Sequence, residues 1–203
     1  MNSILEITSY SPTQDLTILA TVKTDIGIDS NDENDRLSMW IRQASSMIAA
    51  HCDRVFGMET LLETFRPTTP FEQLVLTRYP VASITSVVED GTTLLTTDYE
   101  ADLAKGLMRR LSSDTPYCWP ARKIVVAYRA GYELLDGLPH GLERACLSLV
   151  KLMRAQSSRD SMAKRIEIPG VETIDYWVGK IGENGALPPD VVDLVAPYVN
   201  WRP

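Results

Sequence analysis

The sequence predicts an α+β fold: a helical bundle of one long central helix and two or three others, with an inserted antiparallel β region and an extended C-terminal arm. Three observations predict it. An amphipathic stretch runs from Ser30 to Gly57, the residues from Glu63 to Tyr132 break into short β-type runs, and a second helical stripe begins after Pro139. The expected divisions are N-terminal bundle helices over 1–57, a β-rich insertion over 58–133, and a third bundle helix over 134–164. A hairpin or extended arm with a short C-terminal helix and a docking tail then occupies 165–203.

Residues 1–12 read as a short extended lead-in ended by Pro12. Asp15–Ile26 reads as a first helix, with Leu16, Leu19, Ala20 and Ile26 on one face and Gly27 as its stop. In the long helix Leu37, Ile41, Ala44, Ile48, Cys52 and Val55 recur at steps of three and four, the spacing that lines one helical face. Ser30 and Glu33 have capping-box spacing, and Gly57 is the expected C-terminal cap because it adopts the left-handed conformation without a Cβ clash. So long an apolar stripe needs partner helices, from this chain or a neighbouring one.

Beyond Gly57, Thr, Val, Ile and Tyr dominate, and turn residues recur at short intervals. Gln73–Tyr79 alternates apolar and polar residues. Ser83–Glu89 is a second such run, and Asp90–Gly91 is a strong turn signal. Asp98–Asp102 and Leu107–Leu111 flank Lys105–Gly106 as a hairpin, and Lys123–Arg129 sets Ile124, Val126 and Tyr128 on one face. Five or six such strands imply a compact antiparallel sheet, barrel or sandwich. Pro139 then opens a helix with Leu142, Ala145, Cys146, Leu149, Leu152 and Met153 as its buried stripe. Arg165–Val178 reads as a hairpin turning at Pro169–Gly170, followed by a glycine-rich linker and a short helix over Pro189–Ala196 carrying Val191, Leu194 and Val195.

Composition narrows the function. The 203 residues are 44% hydrophobic and 23% charged, ordinary for a globular protein, and no run is long enough for a membrane span. The N-terminus lacks the basic region of an export signal. Three widely spaced cysteines, Cys52, Cys118 and Cys146, fit buried thiols in a reducing compartment rather than a disulfide framework. The net charge is −7. A tight DNA binder neutralises phosphates with a basic surface, so this balance argues against a DNA-binding regulator. It suits a protein that DNA slides past. The basic residues Arg154, Arg159, Lys164 and Arg165 read as a solvated helix end or a contact for an acidic partner, with a nucleic-acid contact as the lesser alternative.

No phosphate-binding glycine loop, nucleophile elbow or zinc-protease motif is present. His51, Cys52, Cys118, His140 and Cys146 lack the closely spaced pairs of a metal site; Cys52 and Cys146 read as core and the histidines as surface. Glu63, Glu72, Glu89, Asp90, Asp98, Glu100 and Asp102 are too scattered to single out a catalytic pair, and read as solvated strand edges and turns. The expectation is therefore no catalytic residue, no metal and no cofactor. A small hydrolase remains the least favoured alternative. Trp40 and Met39 lie just off the main helical stripe, either in ordinary core packing or as a second apolar surface for a neighbouring subunit.

The order of features resembles the phage head–tail connector (adaptor) proteins, the gp6-like group of tailed phages, prophages and gene transfer agents. The resemblance is carried by VKTDIGI ending the first helix, IRQASSMIAAHCDRVFG, YPVASITSVVEDG, TTDYEAD and VVAYRAGYELLDGLPHGLERACLSLV, together covering roughly residues 15–160. The tail after Pro169, with IPGVE and a later Pro-Pro helix, resembles longer members. The resemblance implies a virion structural protein of the neck, assembled in the host cytoplasm. It implies a twelvefold ring beneath the portal of a DNA-filled capsid, joined to head-closure or tail proteins, with DNA as non-specific passing cargo. The alternative within the same setting is a tail-completion or other neck ring component. Trp40, Val191, Leu194, Tyr198, Trp201 and Arg202 are the candidate partner-binding residues, since aromatic anchors bury much area at little entropic cost.

Overall fold

The computed structural model describes residues 3–134, 137–157, 165–168, 172–175 and 187–200. The chain divides into two compact units, Met1–Thr13 with Val55–Glu133 and Gln14–Arg54 with Leu134–Pro203.

The first unit is built from two antiparallel sheets. Its strands are β1 (Ser3–Tyr10), β2 (Glu59–Phe65), β3 (Gln73–Val75), β4 (Val81–Glu89), β5 (Thr92–Thr93), β6 (Tyr99–Asp102), β7 (Leu107–Ser112), β8 (Thr115–Tyr117) and β9 (Ile124–Ala130). The larger sheet runs β1-β2-β9-β4-β5; the smaller runs β3-β7-β6, with β8 also on β7. Strict alternation in β2 and β9 sends Leu61, Glu63 and Phe65 inward beside Ile124, Val126 and Tyr128. There they meet Leu74, Met108 and Trp119 from the smaller sheet and its flank. Asp90 and Gly91 both take positive φ at the β4–β5 hairpin, as the Asp-Gly signal predicts.

The second unit holds α1 (Leu19–Ile26), α2 (Asn34–Cys52), α3 (His140–Ser157) and α4 (Pro189–Val195). The α2 stripe is buried as its spacing predicts, with Leu37, Ile41, Ala44, Ile48 and Cys52 all in the core. Leu142, Ala145, Cys146 and Leu149 are buried on α3, whereas Leu152 and Met153 are half-buried. Two further strands, β10 (Arg165–Ile168) and β11 (Glu172–Asp175), pair antiparallel with each other.

The expected helical bundle is overturned. Among the described residues eleven strands stand against four α-helices, and antiparallel sheets supply the larger part of the regular structure. Ser3–Tyr10, read as a lead-in, is a full strand in register with β2 from Ser3↔Phe65 to Tyr10↔Glu59. The β region therefore includes the N-terminus. Local periodicity locates helices well, but it cannot show that two strands nearly fifty residues apart pair.

Helix ends also differ from expectation. Helix α1 begins at Leu19, not Asp15, and Gly27 ends it in the left-handed conformation at φ 73°. Helix α2 starts at Asn34 without a side-chain cap. Ser30 Oγ instead bonds Asp32, and Glu33 turns to Arg154. Its C-terminal cap is Asp53 at φ 48°, whose N–H reaches the Ala49 and Ala50 carbonyls. Aspartate tolerates this conformation better than most residues, so the helix stops before Gly57, which instead forms a β-bridge with Tyr132.

Candidate partner-binding site

The C-terminal segment is seated on its own helical unit. Proline at the first position of α4 suits a turn whose N–H needs no partner. Val191 is 1% exposed and Val195 is fully buried, so this face of α4 is packing surface. A 3-10 turn over Ala196–Tyr198 follows. Arg54 Nη1 donates to the Tyr198 carbonyl at 3.2 Å, and the Asn200 N–H donates to the Cys52 carbonyl at 2.8 Å. The C-terminal end of α2 thus holds the backbone after α4. Gly141 on α3 lies against Tyr198, where an added Cβ would make ordinary contact with the phenol at 3.4 Å.

The six candidate residues fall in separate places. Val191, Leu194 and Tyr198 belong to this seated segment; Leu194 and Tyr198 are half-buried and keep outward surface. Trp201 and Arg202 lie outside the described residues. Trp40 sits twelve positions before Cys52, roughly 18 Å away along α2. It is 6% exposed, with the Arg36 guanidinium 6.0 Å from its ring centroid. Its edge contributes to an open groove of about 630 Å³ lined by Trp40, Gln43 and Met47 from α2 and Met153 and Gln156 from α3. Met39, its sequence neighbour, is exposed.

Charge pairs tie the same unit together. Arg154 clamps Glu33 with Nε to Oε2 at 2.9 Å and Nη2 to Oε1 at 3.3 Å. This guanidinium holds the Glu33 carboxyl below its usual range and is itself held protonated more firmly. Lys151 reaches Asp25 at 2.8 Å. Deeper in, Ser45 Oγ accepts the Leu16 N–H at 2.9 Å and lies 3.6 Å from Cys146 Sγ.

Cys52 and Cys146 are buried on their helices as expected, but Cys118, also read as a buried thiol, is not. Burial pushes the Cys52 thiol up to about 11 and the Cys146 thiol up to about 12, while Cys118 is exposed. Among the described residues no group of three His, Cys, Asp or Glu is arranged to hold a metal ion. No helix among them is long and apolar enough to cross a membrane.

Sequence reasoning missed one polar centre, in the β unit. Glu63 is fully buried and Glu59 nearly so. Glu63 accepts hydrogen bonds from Tyr128 Oη at 2.7 Å, from the Thr77 N–H at 3.0 Å, and from the Ser3 and Thr77 hydroxyls. Glu59 pairs with Arg78 Nε at 3.1 Å. Burial, and then the neighbouring Glu63, push the Tyr128 phenol well above its ordinary range. The available signal was the inward register of Glu63 within the alternating strand ETLLETF, flanked by Leu61 and Phe65. Its donors come from β1, β9 and the segment before β4, so the cluster ties three parts of the unit together.

The fold is shared with solved structures of virion necks. It matches a chain of the "neck of empty GTA particle computed with C6 symmetry" at a TM-score of 0.59 and 16% identity, covering 98% of this chain and 96% of that one. The "virion of native gene transfer agent (GTA) particle" gives the same values. The "neck of native GTA particle computed with C12 symmetry" gives a TM-score of 0.55 at the same identity and coverage. The chain belongs to the head completion protein family, which matches residues 15–198. This upholds the resemblance to head–tail connectors read from the sequence. A comparison with curated proteins finds no match.

Proposed function

We infer that this protein is a structural subunit of a virion neck, the connector between a DNA-filled head and its tail. The observation that carries the reading is membership of the head completion family across residues 15–198. Subunits of like fold in gene transfer agent necks solved with sixfold and twelvefold symmetry support a ring. In this reading the ring lies beneath the portal and is joined below to head-closure or tail proteins. The net charge of −7 suits a channel that DNA passes without sticking. The role is one of assembly, not catalysis.

In this reading α4 anchors the C-terminal segment through Val191, while Leu194, Tyr198, Trp201 and Arg202 present the docking surface toward the portal or an adjacent subunit. Trp40 and its groove form a second contact. The test is co-sedimentation of the purified protein with portal rings from the same element. Truncation before Tyr198 is expected to abolish binding while leaving the circular-dichroism spectrum nearly unchanged; full binding by the truncated protein would refute the docking role.

A further inference from the structure

The helical unit carries two unlike surfaces. The first is the groove between α2 and α3, where Trp40, Gln43 and Met47 line one side and Met153 the other. Arg42 lines it too and is exposed, and none of its described lining residues is Asp or Glu. In a chain of net charge −7, this groove is basic and partly apolar. From Trp40 to Met47 it runs two helical turns, roughly 10 Å along α2.

The second surface is the outward side of α4. Asp190, Asp193, Leu194 and Pro197 follow steps of three and four, turned from the buried Val191 and Val195. Both aspartates and Pro197 are exposed, and Leu194 is half-buried. The side is acidic with an apolar centre, and at seven residues α4 is also two turns long. It does not reach the groove of its own chain. The Asn200 N–H to Cys52 carbonyl bond and the Arg54 bond to the Tyr198 carbonyl hold this segment at the C-terminal end of α2. Met47 and Trp40 stand earlier on that helix, roughly 8 and 18 Å back from Cys52.

We propose that the outward side of α4 in one copy seats in the α2–α3 groove of a second copy, with Asp193 against Arg42 and Leu194 between Met47 and Met153. Charge and length select this occupant: an acidic two-turn helix meets a basic two-turn groove. A short helix laid in a groove is a recurrent mode of recognition. Methionines adapt their shape to the apolar side chain they receive, and the opposite charges fix the register. The two surfaces differ, so the contact is heterologous. Such a contact repeats head to tail and closes into a ring when the rotation permits. Each contact is small alone; closure makes the last ones intramolecular and raises their effective concentration. The inference rests on the ring reading above and specifies which elements make the ring.

The test uses full-length protein in a Cys118→Ser background. One preparation, with an affinity tag, carries Ser46→Cys in the groove; the other, untagged, carries Asp190→Cys on α4. The two are mixed, with and without portal rings, and oxidised. The expected result is a tagged–untagged disulfide dimer. It is lost when the tagged chain also carries Arg42→Glu or the untagged chain Asp193→Arg, and it returns when both reversals are present. Circular dichroism checks each variant; one that loses its helical signal is replaced by Arg42→Gln or Asp193→Asn, which must lower the yield likewise. Absence of the mixed dimer in both conditions, or charge reversals without effect or without mutual rescue, overturns the proposal. So do disulfide dimers between two tagged or two untagged chains in its place. Portal co-sedimentation of the parent protein is scored separately. Portal binding without the mixed dimer rejects the helix-in-groove contact and leaves the connector reading standing; the mixed dimer without portal binding does the reverse.

Discussion

Tyr128 donates its phenolic hydrogen to Glu63 Oε2 at 2.7 Å in the interior of the β unit, and both residues are fully buried. The bond joins β2 to β9 through side chains as well as through the ladder. Removing Glu63 leaves the buried phenol without its acceptor, and an unsatisfied buried group costs about 1–3 kcal/mol; the exposed Thr77 loses its acceptor too, but water can replace it. Glu63→Ala is therefore expected to destabilise the protein by about 1–3 kcal/mol. Tyr128→Phe, which leaves Glu63 its other donors, should cost less. Urea denaturation of the two variants gives the ranking.

The same phenol makes a pH prediction. Its folded pKa is raised above the unfolded value of about 10, so above that pH the unfolded chain has released a proton that the folded one keeps. Stability from this group is complete below about pH 10 and falls as the pH rises further. Tyr128→Phe should flatten the alkaline limb of the stability profile.

Thiol reactivity follows burial. The thiolate is the reactive form, and Cys52 and Cys146 are buried with thiols pushed up to about 11 and about 12. At pH 8 a thiol reagent should label Cys118 rapidly in the folded protein and all three cysteines only after denaturation. Labelling of the folded Cys118→Ser variant would contradict the packing of α2 and α3.

The Arg154–Glu33 clamp should be visible in a titration. Arg154 lowers the Glu33 pKa below its ordinary 4.5. The stabilisation it brings is present above that value and is lost as pH falls through the lowered one. Both side chains are more than a third exposed, so the effect on stability is small and screened by salt. Arg154→Met should raise the Glu33 midpoint measured by carboxyl NMR.

Two glycines separate conformational strain from overlap. Gly27 at φ 73° has open space where a Cβ would stand, so Gly27→Ala should cost about 1 kcal/mol. Gly131 at φ 110° has the Gly57 carbonyl in that place. Gly131→Ala must both strain the backbone and displace β-bridge partners, and should cost more than about 3 kcal/mol. Thermal unfolding of the two variants decides between them.

How much of this was legible depended on whether the signal was local. The i, i+3, i+4 stripes of Leu37–Cys52 and Leu142–Leu149, the Gly27 stop and the Asp90–Gly91 turn are local, and the sequence displays them. The pairing of Ser3–Tyr10 with β2 is not, because nothing within one strand names its distant partner. That missing pairing made the helices look like the frame and the sheets like an insertion. The helix ends moved for a related reason: Glu33 serves Arg154 rather than a cap, and Asp53 takes the conformation expected of Gly57. Glu63 looked like one of many surface carboxylates, because the partners that bury it come from β1, β9 and Thr77. Of the proposed docking residues, sequence pattern found the seated helix but could not tell its packing side, Val191, from its outward side, Leu194.

The most direct test of the connector role is sedimentation of the purified, folded protein with isolated portal rings from the same element. The account predicts saturable binding at one copy per portal subunit, weakened by Tyr198→Ala and Trp201→Ala. Absence of binding, with the protein folded and the portal ring intact, would contradict it.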